Sequence, residues 1–91
     1  MAEPVKGAIL TDHAMIEVGR RGLAEDVVRD VLAKPEQRMR VRPGRIVVQS
    51  RVAIDGTMYL VRVIVDVDRD PAEVVTAYRT SKIDKYWSPE P

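Results

Sequence analysis

The side chains that can do chemistry in this chain of 91 residues are few in kind: one histidine, three tyrosines, one tryptophan, and 15 cations of which 11 are arginine. His13 is the sole imidazole. As a general base it needs a pKa near neutrality and a hydrogen-bonded partner. Glu17 stands four positions on, the spacing of side chains that meet on one helix face. A lone histidine there serves more often as a cap or packing residue than as a catalyst. Arginine is the residue for phosphate and carboxylate forks. Cysteine is absent. That removes disulfides, thiolate zinc sites and cysteine nucleophiles, and it fits a reducing, cytoplasmic setting. The remaining carboxylates show no metal-ligand spacing, so no metal is expected. No glycine-rich phosphate loop is present, and no carboxylate pair offers itself as an acid–base couple, so no cofactor is expected either.

Length supports one domain. The formal charge is +1, which excludes a histone-like or polybasic chain. A hydrophobic content of 45% argues against disorder. No apolar run approaches the roughly 18 residues of a membrane span, and the N-terminus has no apolar signal core. Residues 1–8 read as a flexible leader, 9–87 as the domain and 88–91 as a tail.

Thr11 or Asp12 can cap a first helix carrying Ala14 and Val18, with Leu10 in the same apolar spacing. Gly22 supplies a left-handed stop. A second helix follows, with Glu25 and Asp26 in its first turn and an apolar stripe of Val27, Val28, Val31 and Leu32. Pro35 ends it. The period then changes to two, over residues 38–42, 45–54, 57–67 and 73–80, with turns at Pro43-Gly44, Asp55-Gly56 and Asp68–Pro71. Ser81 can cap a last helix, Lys82 to Trp87. The predicted fold is α+β: two N-terminal helices on one face of a four-stranded antiparallel meander, then a short C-terminal helix.

Two-residue turns fix register and therefore face. They set Ile54 against Thr57, Arg51 against Leu60 and Gln49 against Arg62. At Pro43-Gly44 they set Met39 against Val48 and Arg40 against Val47. The last turn sets Leu60 beside Arg79 and Arg62 beside Ala77. One face then carries Met39, Val41, Ile46, Val48, Val52, Tyr59, Val61, Val63, Val65, Val74 and Tyr78, for the helices to cover. The other carries Arg38, Arg40, Arg42, Gln49, Arg51, Arg62 and Arg79, with Val47, Leu60 and Ile64. A one-residue bulge in any strand breaks this pattern. An uncovered face must be polar in any case. A run of adjacent like charges nonetheless costs stability and points to an anion between them.

The string Val74 to Tyr86, containing Thr76, Tyr78-Arg79-Thr80-Ser81-Lys82 and Lys85-Tyr86, resembles a family. So do Thr11-Asp12-His13-Ala14 and the corner Arg21-Gly22-Leu23-Ala24-Glu25-Asp26-Val27. The chain is similar, over about residues 9–87, to the domain-of-unknown-function 4258 family, small bacterial domains resembling BrnT-like and RelE/ParE-like toxins. That resemblance implies a metal-independent endoribonuclease neutralised by an antitoxin protein. Carried over by position, it marks His13, Arg21, Tyr78, Arg79, Lys82, Lys85 and Tyr86. Relatives often have a cation where this chain has Glu17.

Two functions from different classes follow. In a ribonuclease, His13, Arg79 and Tyr86 are the catalytic candidates, and Arg21, Arg40, Arg51, Arg62, Lys82 and Lys85 bind RNA phosphate. In a non-catalytic module, the basic face receives an acidic partner segment or nucleic acid. Packing is the simpler role for Tyr78, Tyr86 and Trp87, the last as a latch for the final helix. Lys82 and Lys85 also suit a solvated helix face. A homodimer through Val47, Leu60 and Ile64 is compatible with either function.

Overall fold

The computed structural model describes residues 1–89. The end of the expected tail, residues 90 and 91, lies outside the described residues. A two-residue strand β1 (Ile9–Leu10) leads into helix α1 (Asp12–Arg20). Thr11 is its cap: the hydroxyl accepts from the Ala14 N–H at 3.1 Å. Gly22, at φ +73°, turns the chain into α2 (Glu25–Ala33). Four strands follow: β2 (Gln37–Arg42), β3 (Arg45–Ile54), β4 (Thr57–Asp66) and β5 (Glu73–Thr80). The last helix, α3 (Ile83–Tyr86), is one turn long. Ser81 does not cap it; the Thr80 hydroxyl accepts from the Lys82 N–H at 3.1 Å instead.

The architecture is α+β, but the sheet is five-stranded and mixed, in the order β1-β5-β4-β3-β2. The added strand is β1, which runs parallel to β5 through Ile9–Glu73 and Leu10–Val74. Its two residues are too few to show a period. Residues 1–8, expected as a flexible leader, are docked. The N–H of Val5 donates to the Leu32 carbonyl and that of Ala2 to the Pro35 carbonyl, both at 2.9 Å. Val5 and Ala8 are buried in the core.

The Asp55-Gly56 hairpin has the expected register along its whole length, from Ile54–Thr57 to Arg45–Asp66. Both turn residues have positive φ, 51° and 81°, the geometry that matches strand twist. The flanking strands differ from expectation, because each contains a register shift. The shift between Arg40 and Arg42 sets Arg40 against Ile46 and Met39 against Val47. The shift opposite Ile64 and Val65 sets Arg62 against Tyr78 and Val61 against Arg79. One extra residue moves every side chain beyond it to the other face.

The helical face is therefore Ile46, Val48, Val61, Val63, Val65, Val74 and Ala77, buried with Ala14, Val18, Leu23, Val28, Val31 and Leu32. Burying each large side chain there is worth about 1.5–3 kcal/mol. Met39 and Tyr78 leave that face, and Arg38, Arg40 and Arg79 join it. Val41, at the bulge, is 57% exposed. The opposite face is not open either. Val47, Gln49 and Leu60 are as buried as the main core.

Candidate functional site

What covers the second face is the C-terminal segment. From α3 to Ser88 it crosses the sheet from β5 to β2. Two buried glutamines anchor it. Gln49 Nε2 donates to the Tyr86 carbonyl at 3.1 Å and to Gln37 Oε1 at 2.7 Å. Gln37 Nε2 donates to the Ser88 carbonyl at 2.7 Å, and the Ser88 N–H returns a bond to Gln37 Oε1 at 3.0 Å. The Gln37 side-chain amide thus bonds the Ser88 backbone in both directions. These amides satisfy one another where an unpaired polar group would be costly.

The arginines of this face are bound into the same construction. Arg62 Nε donates to Gln49 Oε1 at 2.8 Å, and its Nη1 to the Tyr78 hydroxyl at 2.6 Å. Its guanidinium lies 4.4 Å from the Tyr86 ring centroid and 5.7 Å from that of Tyr78. Arg51 stacks 4.3 Å over Trp87. Its Nη2 donates to Glu36 Oε2 at 2.8 Å, and its backbone N–H and Nε both reach Glu36 Oε1. These hydrogen bonds hold the Glu36 carboxyl below its ordinary range, against the opposing effect of burial. Arg45 grips Asp66 through both oxygens, at 2.7 and 3.1 Å, and lowers that carboxyl in the same way.

An arginine-lined sheet face open to an anion is therefore not what forms. Arg51 and Arg62 lie on the face as expected, but their forks are taken up by Glu36, Gln49 and Tyr78. Arg40 and Arg79 are turned to the helical side by the two register shifts. Val47 and Leu60, two of the apolar residues expected to pair two copies, are buried.

A different grouping forms at the end of β5. Because β1 pairs only with Glu73 and Val74, residues 76–80 lie along the sheet edge. Arg21, at the end of α1, reaches round that edge to within 6.0 Å of the Tyr78 ring. The Tyr78 and Tyr86 rings meet edge to face with centroids 6.4 Å apart. Lys85 lies 5.3 Å from the Tyr86 ring. On the other side of the strand the Arg79 guanidinium lies 4.7 Å from the Tyr59 ring. Its Nη2 is 3.0 Å from the position a Cβ would take on Gly22. Arg21, Arg62 and Lys85 thus surround two tyrosines at one edge, with Arg79 on the other side of the strand. Arg79 makes no ion pair among the described residues, and Arg21 has only Glu17 at 3.8 Å.

His13 is outside this grouping. It is exposed in the first turn of α1 and makes no hydrogen bond among the described residues. Glu17, spaced to orient it, is turned to Arg20 and Arg21 at 3.8 Å each. Lys82 is exposed at the start of α3. Trp87, expected as a latch, contacts this face through the Arg51 guanidinium. Gln37 and Gln49 were not singled out as anchors. A glutamine inside a β-branched run such as Ile46-Val47-Val48-Gln49 is the signal that marks them. No group of three or more His, Cys, Asp or Glu side chains is placed to hold a metal ion among the described residues. No helix among them is long and apolar enough to cross a membrane. No family model matches the chain, and neither does a curated protein or a solved structure.

Proposed function

We propose that this is a toxin-type RNA-binding domain, similar in kind to BrnT and RelE, that grips single-stranded RNA at the Tyr78–Tyr86 edge. The observation that carries this reading is the placement of Arg21, Arg62 and Lys85 around two half-buried tyrosines at the sheet edge. Unpaired bases stack on aromatic rings, and each such contact is worth about 1–3 kcal/mol. Arg21 and Lys85 take the phosphates, which makes binding salt-dependent. Arg79, free of a carboxylate among the described residues, supplies a further phosphate contact beneath the helix corner.

Metal-independent cleavage is the second reading, favoured by Arg79 and the Tyr86 hydroxyl lying at that same edge. In such a step the RNA 2′-oxygen attacks the adjacent phosphorus and the bond to the 5′-oxygen breaks. The arginines stabilise the charge that develops. A base takes the 2′ proton, and an acid returns one to the leaving oxygen. His13, away from the cluster, is the least favoured base.

The test is fluorescence anisotropy with a labelled single-stranded RNA in EDTA, followed by electrophoresis of the same samples. Wild type binds with a negative salt slope, and Arg21→Ala, Arg79→Ala and Lys85→Ala each reduce that slope by about one. Strand scission lost in Arg79→Ala supports the cleavage reading. Absence of salt-dependent binding by the wild type sinks both.

A further inference from the structure

At the opposite end of the sheet, β2 forms the other edge, hydrogen-bonded to β3 alone. None of its backbone groups bonds elsewhere among the described residues. An uncovered edge is a template for a further strand, and charged side chains or a bulge keep such an edge from pairing with its own kind. Gln37–Arg42 contains no proline, and beyond Gln37, whose side chain is buried against Ser88, its outer backbone groups have no partner among the described residues. It carries instead arginines at 38, 40 and 42, none of them in an ion pair among the described residues. Arg38 reaches only the carbonyls of Glu3 and Pro4, at 3.4 and 3.5 Å. A groove of about 670 Å³ runs beside the strand, lined by Glu3, Arg38, Met39, Arg40 and Arg42 among others.

We propose that the β2 edge docks an extended acidic segment of a partner protein, which adds to the sheet as a sixth strand. Charge selects that occupant. A second copy brings its own Arg38 and Arg40 to the same four-residue stretch, and like charges across a strand pair are destabilising. An acidic strand sets carboxylates beside Arg38 and Arg40, which share one face. Nucleic acid fits less well, because no aromatic side chain lies on β2 for a base to stack on. Main-chain hydrogen bonds supply the affinity and the alternate side chains the specificity. The regular stretch Gln37–Arg40 does the pairing. The bulge at Val41 ends it and leaves that side chain, 57% exposed, as an apolar handle.

The experiment uses the full chain and a short labelled peptide alternating glutamate and valine. Its twin, methylated on alternate amide nitrogens, keeps the charge and side chains but cannot pair as a strand. The peptide binds, the methylated twin binds at least about tenfold more weakly, and Arg38→Glu/Arg40→Glu produces a similar loss. A circular dichroism melt of that double variant verifies its fold, and the methylated twin tests pairing with no substitution at all. No binding by the wild type overturns the proposal, and so does equal binding of the twin. Loss of RNA binding without loss of peptide binding in the double variant also overturns it, assigning the edge to nucleic acid.

Discussion

Arg62 Nη1 donates to the Tyr78 hydroxyl at 2.6 Å across the β4–β5 pair, while its Nε is held by Gln49 at 2.8 Å. A cation in the middle of a sheet face is thus spent on holding a tyrosine and a glutamine in place. Arg62→Lys keeps the charge but not the fork, so it leaves a buried amide oxygen and a hydroxyl unmatched. The expected loss is about 1–3 kcal/mol in urea unfolding. Arg40→Lys, at an exposed position, is expected to change stability by less than about 0.5 kcal/mol. Equal effects of the two would remove the structural role of Arg62.

Gln49 is the hub of the C-terminal anchor, with every polar hydrogen of its side-chain amide engaged. Gln49→Leu preserves volume and strips Arg62, Gln37 and the Tyr86 carbonyl of a partner each. It is expected to cost about 1–3 kcal/mol for each group that water cannot reach. Trp87 is the only tryptophan, so its fluorescence reports directly on docking of this segment. In wild type, fluorescence and far-ultraviolet circular dichroism transitions should coincide. In Gln49→Leu the fluorescence transition should come first, as the segment detaches before the sheet melts.

The hairpin at Asp55-Gly56 was legible because two residues with positive φ leave one possible register, and Arg51–Leu60 and Gln49–Arg62 follow from it by counting. The faces of β2 and β5 were not legible. Each hangs on a single bulge residue, and Val41 and Val75 look like any other valine in a strand. By strand parity alone Arg38, Arg40 and Arg79 belong with Arg51 and Arg62, and one inserted residue in each flanking strand moves them to the other face. The second core was hidden for a different reason. Val47, Leu60 and Gln49 read as an open face only if nothing returns to cover them, and local pattern does not say where Tyr86 to Ser88 will lie.

Glu36 and Asp66 are the carboxyls expected to set the acid limb of stability. Both carboxyls titrate below their ordinary values of 4.5 and 3.8, chiefly through hydrogen bonds from Arg51 and Arg45. A folded-state pKa below the unfolded one means that the unfolded chain binds protons first. The stabilisation is therefore complete above the ordinary carboxylate range and is lost as pH falls through the lowered values. Urea unfolding at a descending series of pH values should show stability falling in that window. Asp66→Asn should flatten the fall. The Glu36 share, on a partly exposed pair, should shrink further in high salt. An acid limb unchanged in Asp66→Asn would exclude the Arg45–Asp66 pair as its source.

Gly22 and Gly56 separate backbone strain from the placement of Arg79. Both have positive φ, 73° and 81°, so alanine at either costs about 1–2 kcal/mol in the left-handed region. Their surroundings differ. A Cβ on Gly56 meets nothing within 4 Å, whereas one on Gly22 meets Arg79 Nη2 at 3.0 Å and its Cζ at 3.4 Å. The flexible guanidinium has to give way by a small shift, which displaces it against the Tyr59 ring. The two alanine variants should therefore unfold at similar urea concentrations yet differ in RNA affinity. Gly22→Ala should lose part of what Arg79→Ala loses, and Gly56→Ala should match the wild type. The double variant Gly22→Ala/Arg79→Ala should bind no worse than Arg79→Ala alone, because both changes act on the same contact. Full additivity of the two losses would mean that Gly22 acts on binding by some route other than the position of Arg79.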